Sequence, residues 1–448
     1  MSGPPPSIWA AGVARDRSGA LTVNGHDVRD LAAQFGTPLY VLDEADFRAR
    51  AGAFRRAFAE GDVHYAAKAF LCTAVARWVA DEGLGLDVAS GGELAVALAA
   101  DFPPERIVFH GNNKSASELQ LALDVGVGRI VVYSFDEIGR LADLSTRTNR
   151  RPRVHIRLTV GVEAHTHEFI ATAHEDQKFG FSVASGAALR AAQAVLDTGC
   201  LHLVGLHSHI GSQIFDTSGF EVAATRAVTV LAQLRDDRGV TLPELNLGGG
   251  LGIAYVPGDD PADVGEVASS LRAIVERACA AQGLPVPRLA VEPGRAIAGP
   301  STLTLYEVGT VKPVELDGGL VRHYVSVDGG MSDNVRSALY GADYTVVLAG
   351  RESDAALMQT RVVGKHCESG DIVVRDADLP DDLHPGDLLA VAATGAYCRS
   401  MASTYNFVGR PPVVAVPAPT VAGLQAPHVI VRRETEADLL ALDPGVGR

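Results

Sequence analysis

Residues 84–140 read LGLDVASGGELAVALAADFPPERIVFHGNNKSASELQLALDVGVGRIVVYSFDEIGR. Three times over, a short apolar or β-branched run (Leu84–Val88, Arg106–Phe109, Arg129–Tyr133) gives way to a longer stretch with apolar residues at helical spacing. Ser90 with Glu93, Ser115 with Glu118 and Ser134 with Glu137 fit the S-x-x-E capping pattern, in which hydroxyl and carboxylate satisfy N–H groups that a first helical turn leaves open. Helices are therefore predicted just after each run, for example over 92–100 and 118–125. A strand, a cap and a helix in repeating order are the signature of βα units on a parallel sheet.

The same alternation extends in both directions. With Val63–Ala67, Arg153–Leu158, Leu203–Ser208, Leu245–Leu247 and Leu289–Glu292 the runs number eight. Eight units in roughly 250 residues predict a (β/α)8 TIM barrel, an α/β fold whose chemistry sits at the C-terminal strand ends. A doubly wound open sheet is the competing architecture, but no G-x-G-x-x-G follows the first strand. After about residue 305 the texture changes to β-like runs separated by Gly, Asp and Pro: Leu303–Val314, His323–Val327, Thr345–Leu348, Met358–Val363, Ile372–Val374, Leu388–Ala393 and Val413–Val416. This predicts a second, mostly β domain (a sandwich or barrel). Leu21–Val23 and Leu39–Val41 are expected to pair with it, giving a barrel over 45–305 and a β-rich domain from 1–44 plus 306–448.

The chain has 448 residues, 47% hydrophobic and 21% charged, which excludes disorder and coiled coil and suits two modules. A net charge of −15, spread along the chain, repels phosphate backbones and anionic lipid, so neither nucleic acid nor a membrane is an expected partner. The opening MSGPPPSIWA lacks a basic segment followed by an apolar one, and the expected location is the cytoplasm. The five cysteines form no C-x-x-C pair and are too scattered for a disulfide framework. Lysine is scarce (Lys68, Lys114, Lys178, Lys312 and Lys365), so chemistry that depends on a lysine has few candidates.

One of them, Lys68, ends the first strand. A partly desolvated lysine loses proton affinity and can form a Schiff base with an aldehyde; the plainer role is an ion pair with Asp87 on the next strand end. Strand seven runs into Gly248-Gly249-Gly250 and strand eight into Glu292-Pro293-Gly294-Arg295. Loops after strands seven and eight are the recurrent phosphate site of barrels, and three glycines bare the backbone N–H groups; a tight turn explains one or two of them equally well. A buried Glu292 needs a cationic partner, either a protonated pyridine nitrogen or Arg295 or Lys68. His207 and His209 on strand six could join His165 and His167 around a metal, but an imidazole stacked on an aromatic cofactor, or packed and hydrogen-bonded, is the better use, and no metal is expected. In the β-rich half, Cys367 between His366 and Glu368, with Asp371 close by, has the surroundings of a proton donor or of an inert thiol.

These motifs occur together: YAAKA, DVASGGEL, HGNNKS, HSHIGSQ, LNLGGGLGI, EPGR, DGGMSDNVRSALY, CESGD and GAY. In that order, from about residue 35 to 410, they resemble the diaminopimelate decarboxylase family of the alanine racemase-like (fold type III) pyridoxal-phosphate enzymes. The resemblance implies a barrel plus a β domain that takes in the N-terminal segment. It also implies a head-to-tail homodimer with both sites at the interface, and pyridoxal 5′-phosphate as cofactor. Lys68 resembles the Schiff-base lysine, His209 the imidazole on the pyridine face and Glu292 the carboxylate at the pyridine nitrogen. Asp87 belongs to the same cofactor set. Gly248, Gly249 and Gly250, with Ser212 and the backbone of Pro293, Gly294 and Arg295, resemble the phosphate cradle. Arg295, Arg336 and Tyr340 resemble the substrate-binding set, and Tyr397 a contact to both cofactor and substrate. Cys367 and Glu368 resemble residues that reach in from the neighbouring subunit, the first to protonate the substrate's Cα and the second to bind its distal amino group.

The implied reaction converts meso-diaminopimelate at its D-centre to L-lysine and CO2, the last step of lysine biosynthesis. Lys365-His366 before the cysteine and Cys398 after Tyr397 depart from the commoner family pattern. Relatives acting on ornithine or arginine share the lysine, the glycines and EPGR; the pairing of CESGD with Arg336 favours a substrate with a distal carboxylate. A non-catalytic pyridoxal-phosphate binder is the reading from another class, against which the long β domain argues.

Overall fold

The computed structural model describes residues 7–162 and 178–445; His165 and His167 lie outside the described residues. Two compact units result. One comprises Arg50–Gly252 and Pro261–Gly294, the other the described residues up to Ala49, Ile253–Asp260 and the chain from Arg295 onward.

In the first unit eight parallel strands follow the expected order: Asp62–Ala66, Gly85–Val88, Ile107–Phe109, Arg129–Val132, Arg153–Thr159, His202–His207, Glu244–Asn246 and Arg288–Val291. Each pairs with its sequence neighbour, and the eighth pairs with the first (Val291 with Val63), which closes the barrel. A two-residue strand, Phe181–Ser182, adds to the fifth. The three predicted caps form, with a difference. Ser90, Ser115 and Ser134 each accept from the N–H three residues on, but only Glu118 returns to its own cap residue. Glu93 and Glu137 reach one residue further back, to the N–H of Ala89 and Tyr133, and so tie each helix start to the strand before it.

The second unit is mostly β. Its sheet runs Ile372–Pro380, Leu357–Val363, Val321–Val327, Thr302–Glu315, Leu39–Asp43, Val413–Val416 and His428–Val431, with Val346–Leu348 and Leu388–Val391 attached. The N-terminal strand Leu39–Asp43 sits inside this sheet, antiparallel to Thr302–Glu315 and parallel to Val413–Val416. Leu21–Val23 goes elsewhere: it pairs with Val13–Arg15 and His26–Asp27 in a separate small sheet, while Leu21 and Val23 enter the same apolar cluster as Leu39, Val41, Leu303 and Leu305. His428–Val431 escaped the sequence reading because it is an edge strand with no buried residue. Among the described residues no helix is long and apolar enough to cross a membrane.

Parallel strands covered on both faces usually read as apolar runs. Here the residues at alternate positions carry charge into the barrel. Glu244 accepts from Arg129 at 2.6 and 2.8 Å, from Arg153 at 2.5 Å and from His155 at 2.7 Å. Burial pushes the Glu244 carboxyl up, but His155 and Arg129 outweigh it and hold it below the usual carboxylate range. Glu244→Ala strips Arg129 and His155 of their shared acceptor and is expected to cost about 3 kcal/mol, read as a lower urea midpoint near neutral pH. Because the folded-state pKa is depressed, the carboxylate's contribution is complete above about pH 5 and fades as pH falls, so parent and variant should converge in acid.

Candidate active site

The barrel's C-terminal strand ends enclose a cavity of about 740 Å³ lined by Lys68, Asp87, His110, Arg157, His209 and Glu292, among others. That volume suits a ligand of cofactor size. Lys68 stands in the turn Ala67–Ala69 that follows the first strand, exposed to the opening, and its charge acts on both Asp87 and His209.

Glu292, the residue after the eighth strand, is buried. Its partners are neither Arg295 nor Lys68. His110 Nε2 and Asn246 Nδ2 donate to Oε1 at 2.9 and 2.7 Å, and His207 Nε2 donates to Oε2 at 2.9 Å. Tautomers follow from the neighbours. A guanidinium only donates, so the 3.2 Å contact from Arg157 to His207 Nδ1 makes that nitrogen an acceptor and leaves the proton on Nε2, aimed at Glu292. Burial also pushes His207 down to about 3, consistent with a neutral ring. His110 behaves oppositely: burial disfavours its charge, but Asp87, with Tyr133 and Glu292, raises it to about 10. For Glu292, burial raises the carboxyl, and His207 and His110 more than reverse this, so it stays ionised. Burial lifts Asp87 to about 7 against the pull of His110, 3.6 Å away.

His110, His207 and Glu292 place three potential ligand atoms within 4.8 Å of one another. Both imidazole nitrogens facing Glu292 carry the protons of those hydrogen bonds, which is the arrangement of a buried ion pair.

His209 lies just beyond the sixth strand. Its Nδ1 accepts from the Gly249 N–H at 3.3 Å, and burial together with Lys68 and Arg157 keeps the ring neutral. The glycine loop is packed as tightly as its composition suggests. Gly248 and Gly250 have φ of +74° and +102°, and a Cβ on either would lie 2.4 Å from a backbone oxygen, of Ser208 and Gly211 respectively. The Gly248 N–H is committed to Asn246 Oδ1 at 2.8 Å, which also fixes the Asn246 amide toward Glu292. Ser212 sits on the half-buried loop after the sixth strand, and the carbonyl of Pro293 accepts from Ala66 N–H at 3.2 Å.

In the β-rich unit, Arg295, Arg336 and Tyr397 gather around Tyr255 and Tyr344. Arg295 donates to the Tyr255 hydroxyl at 2.5 Å and lies 4.8 Å from the Tyr397 ring centroid. Tyr340 ends the short helix Arg336–Tyr340 and is 65% exposed. Cys367 and Glu368 are exposed on a turn whose base is tied by hydrogen bonds to Asp371. Asp371 accepts from the N–H of Met331 at 2.6 Å and of His366 at 2.8 Å, which joins the DGGMSDNVRSALY and CESGD segments. His366, an unusual residue at this place in the resemblance, is a buried strut: its ring nitrogens meet Ser332 Oγ at 2.8 Å and Asn406 Oδ1 at 2.9 Å. Cys398 is buried too, which pushes its thiol up to about 11.

His110, Arg157, Asn246, Tyr133, Tyr255 and Tyr344 have no role predicted from the sequence. For Arg157 a signal existed: Arg153, His155 and Arg157 alternate with Val154, Ile156 and Leu158, which places polar side chains inside the barrel.

The family model described as the pyridoxal binding domain of pyridoxal-dependent decarboxylases matches residues 44–299. The chain is 57% identical to a diaminopimelate decarboxylase of Mycobacterium bovis, with 98% of each chain covered, and 46% identical to one of Bacillus subtilis, with 96% of each covered. Among solved structures it is similar to diaminopimelate decarboxylase from M. jannaschii (31% identity, 97% of this chain and 98% of that one, TM-score 0.88). It is also similar to the Helicobacter pylori enzyme complexed with L-lysine (29% identity, 93% and 99% covered, TM-score 0.81). The chain belongs to the pyridoxal-dependent decarboxylases and, among them, to the diaminopimelate decarboxylase family.

Proposed function

We propose that this protein decarboxylates meso-diaminopimelate at its D-centre, giving L-lysine and CO2, with pyridoxal 5′-phosphate held in the barrel cavity. The observation that carries this reading is the buried, ionised Glu292 in the same cavity as Lys68. An amine for an aldehyde, an anion for a pyridinium and a neutral ring for an aromatic face are three separate demands of that cofactor, and Lys68, Glu292 and His209 meet them. When bound, pyridoxal 5′-phosphate supplies an electron sink for the pair left by the departing carboxylate.

The chain's own groups do the rest. Glu292, already fixed by three donors, would be the acceptor for the pyridine N–H and would keep that nitrogen protonated. His209, which lines the same cavity, would lie against the ring, and Asp87 would balance the charge of Lys68. Ser212, the Gly250 end of the Gly248–Gly250 loop and the backbone N–H groups that follow Pro293 would hold the phosphate, since the Gly248 and Gly249 N–H groups are already given to Asn246 and His209. Arg295 and Arg336 receive the substrate's retained carboxylate, with Tyr340 and Tyr397 beside it, and Glu368 binds the distal ammonium. Cys367 returns a proton to Cα. The exposure of Cys367 and Glu368 on a braced turn supports their serving the site of a second copy of the chain, and the working unit as a homodimer.

With added cofactor, meso-diaminopimelate should yield CO2 and L-lysine, and L-ornithine and L-arginine should yield no CO2. Release from the latter two alone would instead assign a diamine-forming decarboxylase. Lys68→Ala should lose turnover together with the absorbance of the lysine-bound cofactor. Cys367→Ala should keep cofactor affinity while kcat drops on the order of a hundredfold or more; equal loss of both would make the thiol structural.

A further inference from the structure

Arg336 is 5% exposed, and a guanidinium cannot shed its charge. A buried cation ordinarily sits against a carboxylate. Among the described residues none lies within ion-pair distance of Arg336; phenols and a thiol surround it instead. It donates to the Tyr344 hydroxyl at 2.5 Å, and its Cζ lies 4.8 Å from the ring centroid of Tyr255 and 5.6 Å from that of Tyr344. The two rings meet edge to face at 5.2 Å.

This frame is itself fixed from behind. Having accepted from Arg336, the Tyr344 hydroxyl can pass its own proton toward Cys398 Sγ at 3.5 Å, whose S–H points to Asn334 Oδ1, also at 3.5 Å. Asn334 Oδ1 in turn accepts the backbone N–H of Arg336 at 3.3 Å, which closes the loop. Tyr255 is held as well: its carbonyl accepts from Thr345 Oγ1 at 2.8 Å, and its hydroxyl accepts from Arg295.

A neutral phenol orients a guanidinium without cancelling its charge, whereas an aspartate in the same place would cancel it. We propose that Tyr255 and Tyr344 are positioning residues that hold Arg336 with its charge unneutralised, so that this receptor takes a ligand bearing a carboxylate and discriminates against one bearing only amines. The proposal rests on the reading that Arg336 binds the substrate's retained carboxylate, and it adds what makes that arginine selective.

The test compares L-lysine with 1,5-diaminopentane, the same chain without the carboxylate, by calorimetric titration of the cofactor-loaded protein, alongside steady-state kinetics. Tyr344→Phe keeps the ring and removes the anchor. It is expected to weaken L-lysine binding and raise KM for meso-diaminopimelate by about tenfold, the worth of one hydrogen bond to a charged group, with kcat changed less than about threefold. Binding of 1,5-diaminopentane should stay as in the parent. Tyr255→Leu should act in the same direction, and Tyr255→Phe, which retains the face under Arg336, should recover most of the loss. If Tyr255→Leu fails to fold, Tyr344→Phe decides alone. Equal weakening of both ligands, or no change in either, overturns the proposal. A parent that binds L-lysine but releases no CO2 from meso-diaminopimelate would sink the assigned reaction, while the ligand comparison would still decide the role of the two tyrosines.

Discussion

A carboxylate at the mouth of a barrel is costly to bury, and Glu292 is buried. Left alone it would take up a proton and lose its charge. Three donors prevent this, each oriented by a further contact: His207 by Arg157, Asn246 by the Gly248 N–H, and His110 by the Tyr133 hydroxyl at 2.8 Å. The ends of five strands thus converge on one anion. The glycine loop, the neutral His209 beside it and the placement of Lys68 across the cavity take their chemical meaning from that fixed negative charge.

The same rule operates at the other end of the strands. Glu244 opens the seventh strand and gathers Arg129, Arg153 and His155 just as Glu292, one residue beyond the eighth, gathers two imidazoles and an amide. Outside these two groups the barrel interior still holds a polar side chain, the buried His64. A purely apolar filling would pack as well, but it could not hold a charged group at the strand ends without a counterion in every neighbouring position.

Much of this was legible in the sequence, for physical reasons that differ by element. The barrel strands were readable because apolar runs and S-x-x-E caps recur with the spacing of βα units, and Ser115 with Glu118 forms the reciprocal box that spacing describes. Lys68, Glu292 and the glycines were readable because they stand at strand ends, where only chemistry or tight turns call for such residues. His110 and Asn246 were not, because each lies within or at the end of a short strand and nothing local says which residue it faces. Tyr255 and Tyr344 are farther still from any motif; 89 residues separate them in sequence, and only the fold brings their rings to 5.2 Å. Leu21–Val23 shows the converse limit: its apolar alternation predicted a strand correctly, but the partner of a strand is set by neighbours that the local pattern does not contain.

The central claim is that Glu292 is ionised in the folded protein before any ligand arrives. Infrared difference spectroscopy between the cofactor-free protein and Glu292→Gln, recorded from pH 5 to pH 9, reads that protonation state directly. The account predicts loss of a carboxylate band at every pH and no protonated carboxyl band in the parent. A carboxyl C=O band assigned to Glu292 that persists near neutral pH would contradict it, because the three donors would then be holding a neutral acid.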